Sequence, residues 1–160
     1  MKKSLIQRSL VAGMVIASLA PAVQAETASS SFDARVEVVA TCSISAADMT
    51  FNTITTGTTS AVDSASSVSV NCSNGAPYSV ALSNGANFDT TRRMAWGGSY
   101  ISYGLFSDTG RSQEWNGVSV VSATGTGAAK SHTVYGRIFA GQSVPNMGSY
   151  ADTIVATVSY

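Results

Sequence analysis

Little in this chain is equipped for chemistry. His132 is its sole histidine, charged residues make up 11% of it, and the acidic residues are scattered, with no pair placed as acid and base. Cys42 and Cys72 lie far outside a CxxC spacing, and only His132 is on hand as a further ligand, which argues against a metal or redox centre. No serine sits in a GxSxG elbow, and neither a P-loop nor a dinucleotide fingerprint occurs. The expectation is a protein that is not an enzyme, with no catalytic residues, no metal and no cofactor. Strong helix formers are scarce too: Leu, Lys and Glu are few while Ser, Thr, Val, Ala and Gly abound, a balance that favours strands over helices.

Long apolar runs are also missing. Ser9 to Ala20 is apolar for 12 residues, short of the ~20 that cross a bilayer core but suited to the h-region of a secretory signal. Lys2, Lys3 and Arg8 supply its basic leader, Pro21 breaks the run, and Val23-Gln24-Ala25 supplies a cleavage site. Residues 1–25 are therefore expected to be a signal peptide, with an uncleaved anchor as the alternative. The mature part then begins near Glu26 and carries six basic against nine acidic residues, a formal charge of −3. That excludes the basic footprint of a nucleic-acid binder. In an oxidising compartment Cys42 and Cys72 are expected to form a disulfide.

What is present is alternation. Val68, Val70 and Cys72 share one face of an extended segment, as do Tyr78, Val80 and Leu82, then Ile101, Tyr103 and Leu105. Val118 and Val120 form a short piece, Val134 to Ala140 is nearly continuous, and Ile154, Ala156, Val158 and Tyr160 alternate to the end. Period two over many short runs means strands. Asn74-Gly75, Asn84-Gly85 and Asn116-Gly117 are turn dipeptides, and Ala123 to Ala129 and Val144 to Gly148 read as further connections. Segment 53–67 reads as a loop or poorly ordered edge. The expectation is one all-β domain, a sandwich of about seven strands.

Other residues invite specific roles. Arg92 and Arg93 fall in an expected loop, where a solvated patch is the ordinary outcome and a specific contact the alternative. Trp96 and Trp115 lie among Gly and Asn; there, aromatics either seal the end of a small core or stack on sugars. His132 is expected to be solvated or hydrogen-bonded at a strand start. Asn71-Cys72-Ser73 matches a glycosylation acceptor only fortuitously if Cys72 is bonded on a strand.

The termini are unusual. Phe32, Ala34, Val36, Val38 and Ala40 fall on one face near the mature N-terminus, with Asp33, Arg35 and Glu37 on the other, and a second patterned strand closes the sequence. Ordinary termini are loosely ordered. Tyr135-Gly136-Arg137-Ile138, Ala140-Gly141-Gln142, Val144-Pro145 and Gly148 through Tyr160 (GSYADTIVATVSY) resemble the C-terminal signature of spore coat protein U domains. That family includes the pilin subunits of archaic (Csu-type) chaperone–usher pili. Tyr100 to Trp115 resembles its central strand, and Thr41-Cys42-Ser43-Ile44 its cysteine after an N-terminal arm.

The resemblance implies an incomplete immunoglobulin-like β-sandwich, completed by a donor strand from a neighbouring subunit or a chaperone. It implies a donor-strand arm over 26–41, with Phe32, Ala34, Val36, Val38 and Ala40 filling pockets, and a pilin domain over 42–160. Ile154, Ala156, Val158 and Tyr160 would line the acceptor groove and pair with the chaperone, which in this class grips the terminal carboxylate. The implied partners are a periplasmic chaperone, an outer-membrane usher and neighbouring pilin subunits, and the implied place is a surface pilus supporting attachment and biofilm. Two alternatives stand beside a rod subunit: a minor or tip adhesive subunit, and a secreted coat protein that forms no pilus.

Overall fold

A computed structural model describes residues 24–58, 60–144 and 146–160. The expected signal peptide lies outside them except for Gln24 and Ala25, and so does Pro145 of the expected 144–148 turn. The chain divides into two units, Met1–Val36 and Glu37–Tyr160. In the first, residues 24–36 carry no secondary structure.

The second unit is all-β among its described residues. Its strands are β1 (Cys42–Ala46), β2 (Gly57–Thr58), β3 (Val62–Cys72), β4 (Pro77–Leu82), β5 (Arg92–Trp96), β6 (Ser99–Phe106), β7 (Val121–Thr124), β8 (Lys130–Ile138), β9 (Ser143–Val144) and β10 (Ala156–Ser159). They form a five-stranded sheet in the order β1-β3-β8-β6-β5, a three-stranded sheet β10-β4-β7 and the small pair β2-β9, every pairing antiparallel. The core lies between the two larger sheets. The inward faces of β3, β4 and β6 supply Val68, Val70, Val80, Leu82, Ile101 and Leu105, all at most 4% exposed. These are the alternating positions, because successive strand residues point to opposite faces.

Cys42 and Cys72 stand opposite one another on β1 and β3 and form a disulfide. Trp115 is wholly buried, its Nε1 donating to the Val80 carbonyl at 2.8 Å, so it is a core residue. Trp96 is half exposed. His132 sits on β8, sharing a 2.9 Å hydrogen bond through Nε2 with the Tyr78 hydroxyl and packing edge-on against Trp115.

Three expectations fail for physical reasons. Segment 53–67 is no simple loop: β3 begins at Val62 and runs through the middle of the large sheet. Its first half turns serines inward, and the Ser64 and Ser66 hydroxyls donate to carbonyls of Thr50 and Ala47 at 2.6 and 2.7 Å. A satisfied inward serine packs where an apolar residue was sought. Arg92 and Arg93 are not in a loop but open β5, and Arg92 is 3% exposed. Val118 and Val120 form no strand; Asn116 Oδ1 accepts from the amides of Val118 and Ser119, at 2.8 and 2.7 Å, which withdraws them from a ladder. The strand is β7 instead, which takes in the first two residues of the expected connector 123–129, with Val121 and Ala123 packed on the core. Asn74-Gly75 makes the expected tight turn, the Ala76 amide donating to the Ser73 carbonyl at 3.1 Å. With Gly75 at φ +81°, it carries the chain from β3 in one sheet to β4 in the other.

Asp63 and Arg137 face each other on the outer side of β3 and β8, in a two-pronged pair at 2.7 and 2.8 Å. The Arg137 hydrogen bond, helped by Arg111, holds the Asp63 carboxyl below its ordinary 3.8. A lowered carboxyl pKa stabilises the fold fully above the unfolded value and loses that contribution as pH falls through the folded one. An NMR titration should therefore find Asp63 protonating below the ordinary value for an aspartate, and Arg137→Gln should raise its midpoint.

Candidate functional site

The candidate site is a seam between the two sheets. Among the described residues, β1 is laddered only to β3, and β10 only to β4. Cα atoms of these two edge strands approach within 8 Å, yet no ladder joins them. Each thus presents a row of unsatisfied backbone donors and acceptors along its free side, the ordinary template for strand addition.

The side chains repeat this incompleteness. Residues deep between the sheets, such as Val80 and Val70, are 0–1% exposed. Along the seam, Ile44 of β1 and Ile154, Ala156 and Val158 at β10 pack on the core yet stay only partly buried, as do Met49, Phe51 and Tyr150. Between them opens a cavity of about 450 Å³, lined by residues including Met49, Phe51, Met94, Tyr150, Ile154 and Ala156. Asp48, Thr50, Ser66 and Asp152 also line it, and a cavity of this size leaves the apolar part of its lining short of dispersion contacts. Gly136 lets β8 approach this lining closely, because a Cβ there would strike Met49 and Phe51.

The segment leading into β10 is firmly placed. Asp152 accepts from the amides of Ala86 and Asn87 at 2.9 and 3.2 Å, from the Asn87 side chain at 3.1 Å and from the Tyr103 hydroxyl at 2.8 Å. Burial first, and then the Asp152 hydrogen bond, push the Tyr103 hydroxyl well above its ordinary 10, so it stays a donor. Ala151 bridges Ala95 on β5 through amides at 2.9 and 3.2 Å. Arg92 braces the same end: its Nε and Nη2 donate to the Ser83 carbonyl at 3.0 and 2.8 Å, and Nη2 also to that of Trp115 at 2.9 Å. This end of the seam is therefore tied to β5, to β6 and to the 83–87 segment by hydrogen bonds.

Of the residues expected to line an acceptor groove, Ile154 and Ala156 line the cavity and Val158 lies on the same inward face. Tyr160 does not join them; it is 63% exposed, beside Ser159, Pro77 and Tyr78 in a shallow depression. The five expected donor residues divide between the two units. Phe32, Ala34 and Val36 belong to the first, Val38 and Ala40 to the second, and all are exposed and outside any strand. Met49, Phe51, Tyr150 and Asp152 were not singled out from sequence. The one signal available for the first two is their period-two spacing beyond β1.

The model of the Spore Coat Protein U domain matches residues 28–157. No curated protein matches the chain in sequence. Among solved structures, the chain is similar to one titled the CsuC–CsuE chaperone–tip adhesion subunit pre-assembly complex from archaic chaperone-usher Csu pili of Acinetobacter baumannii. The TM-score is 0.55 at 24% identity, covering 77% of this chain and 40% of that one. This chain therefore spans less than half the length of that relative, and the likeness is one of fold.

Proposed function

The chain belongs to the Spore Coat Protein U domain family, and from that premise and the open seam we propose that it is a structural subunit of a chaperone–usher pilus. Its domain is an immunoglobulin-like sandwich short of one strand. The missing strand comes first from a periplasmic chaperone and then, by donor-strand exchange at the outer-membrane usher, from the arm of the next subunit. Residues 1–25 direct export, 26–41 form the arm, 42–160 form the acceptor domain, and the fibre stands on the cell surface, serving attachment and biofilm formation.

The observation that carries this reading is the pair of facing, unladdered edges, β1 and β10, above a cavity whose apolar wall includes Met49, Phe51, Ile154 and Ala156. A strand between them forms two ladders at once, and alternate side chains of such a strand drop into the core. It also requires flanking strands roughly 9.5 Å apart, twice the ladder spacing, so β1 must shift outward as the strand enters. The arm fits the role: Phe32, Val36 and Val38 are 88–91% exposed. The family match begins at Ala28 and so includes the arm.

Electron microscopy of cells with and without the gene, joined to mass spectrometry of sheared surface fibres, tests the proposal. Fibres containing this chain, lost on deletion, are the expected result. Recovery of the mature chain only as a stable, chaperone-free monomer would point instead to a secreted coat protein that forms no pilus.

A further inference from the structure

A second cavity, of about 780 Å³, shares Leu82 and Tyr103 with the seam but opens elsewhere, between the β4–β5 connection at 83–91 and the β6–β7 connection at 107–120. That volume lies within the range of small-molecule sites, which combine an apolar lining with a few convergent polar groups. Three phenylalanines, Phe88, Phe106 and Phe139, line it. Phe106 and Phe139 close over Gly104, where a Cβ would strike both rings. Phe88 is 44% exposed on the rim.

The polar groups are held in place. Arg92 has its guanidinium buried at the base; Nε and Nη2 are committed to carbonyls, while Nη1, with two N–H groups, makes one long contact of 3.4 Å to Glu114. The Glu114 side chain is 59% exposed and retains acceptor capacity. Asn116 has its amide oxygen fixed by two backbone donors, which leaves its NH₂ as a donor. Arg111 holds a φ of +57°, the one non-glycine residue among those described to do so. Its guanidinium is held by bonds to the carbonyls of Thr109 and Gly136 and by an ion pair with Asp63. Backbone strain of this kind collects at binding sites.

A pyranose ring matches such a lining. Its C–H faces suit aromatic rings, and its hydroxyl edges both donate and accept, as a carboxylate, an amide and a guanidinium together require. Glu114 offsets Arg92, and Asp63, which Arg111 shares with Arg137, partly offsets Arg111, so the cleft carries little net charge and suits a neutral ligand. We infer that this cleft binds a neutral sugar unit of a surface glycan. The inference uses no part of the donor-strand reading, and it moves sugar stacking from the two tryptophans to the phenylalanines.

The test is saturation-transfer NMR on the full mature chain, with methyl glycosides of glucose, galactose, mannose and N-acetylglucosamine as probes and N-acetylneuraminic acid as the anionic comparison. Irradiating aromatic protons should saturate the ring C–H protons of at least one neutral glycoside. Phe88→Ala should weaken that binding about tenfold, Glu114→Gln should weaken it without altering the circular dichroism spectrum, and Trp96→Ala, outside the cleft, should leave it unchanged. The inference is overturned if no neutral glycoside receives saturation, if N-acetylneuraminic acid alone does, or if binding survives both cleft substitutions.

Discussion

Val36→Asp combined with Val38→Asp is expected to abolish fibres while leaving chaperone-bound subunit in the periplasm. In the donor-strand reading these side chains enter the apolar seam lined by Ile44, Ile154, Ala156 and Val158. Burying Phe32, Val36 and Val38 contributes roughly 5–9 kcal/mol, at about 1.5–3 kcal/mol per large apolar side chain. Two aspartates remove more than half of that and ask two carboxylates to leave water unpaired, at a further cost of several kcal/mol each. The substitutions lie outside every strand of the acceptor domain, so its own fold and its groove persist. Asp33→Ala with Glu37→Ala, on the opposite face of the arm, serves as the control and should assemble normally. Surface fibres are counted by electron microscopy, and subunit–chaperone complex by co-purification. Normal fibres in the double aspartate variant would mean that the arm is not what joins subunits.

Period-two alternation was readable where the inward side chains are apolar. Val68, Val70 and Cys72, Tyr78 to Leu82 and Ile101 to Leu105 lie on strands with those residues inside. The same pattern picked out Ile154, Ala156 and Val158 in the seam. It failed where burial is polar. Ser64 and Ser66 face inward because carbonyls of the 47–50 segment await them, and Arg92 is buried because the carbonyls of Leu82, Ser83 and Trp115 converge on it. Those partners lie 9 to 23 residues from Arg92, and nothing in the local sequence announces them. The Tyr103–Asp152 bond spans 49 residues and is equally silent. Met49 and Phe51 were missed because they line the seam from a segment with no ladder of its own. The seam itself is a property of tertiary packing: β1 and β10 stand at opposite ends of the domain's sequence and in different sheets, and only the packing of one sheet on the other brings them together.

Replacing Cys42 and Cys72 with serine should block assembly, yet reducing the same bond in finished fibres should not dissolve them. The disulfide closes a loop with a sequence separation of 30, for which the chain-entropy model gives about 3–4 kcal/mol. That is a large share of the ~5–15 kcal/mol of an ordinary domain, and a sandwich with an open seam has less to spare. Its placement matters as much as its size. β1 is an edge strand with one hydrogen-bonded neighbour, and the bond ties Cys42, its first residue, directly to the opposite residue of β3. In the donor-strand reading, that covalent tie keeps β1 in register while it moves outward to admit the strand. On the same reading a seated donor gives β1 a ladder on each side and Phe32, Val36 and Val38 beneath it, and the tie becomes one contribution among several. Periplasmic yield of the double serine variant should therefore fall steeply, with proteolysis of the free subunit, while the urea midpoint of wild-type fibres should drop only modestly on adding dithiothreitol. Fibres that fall apart on reduction would place the disulfide in the subunit joint itself, and normal assembly of the serine variant would show that β1 holds its register without it.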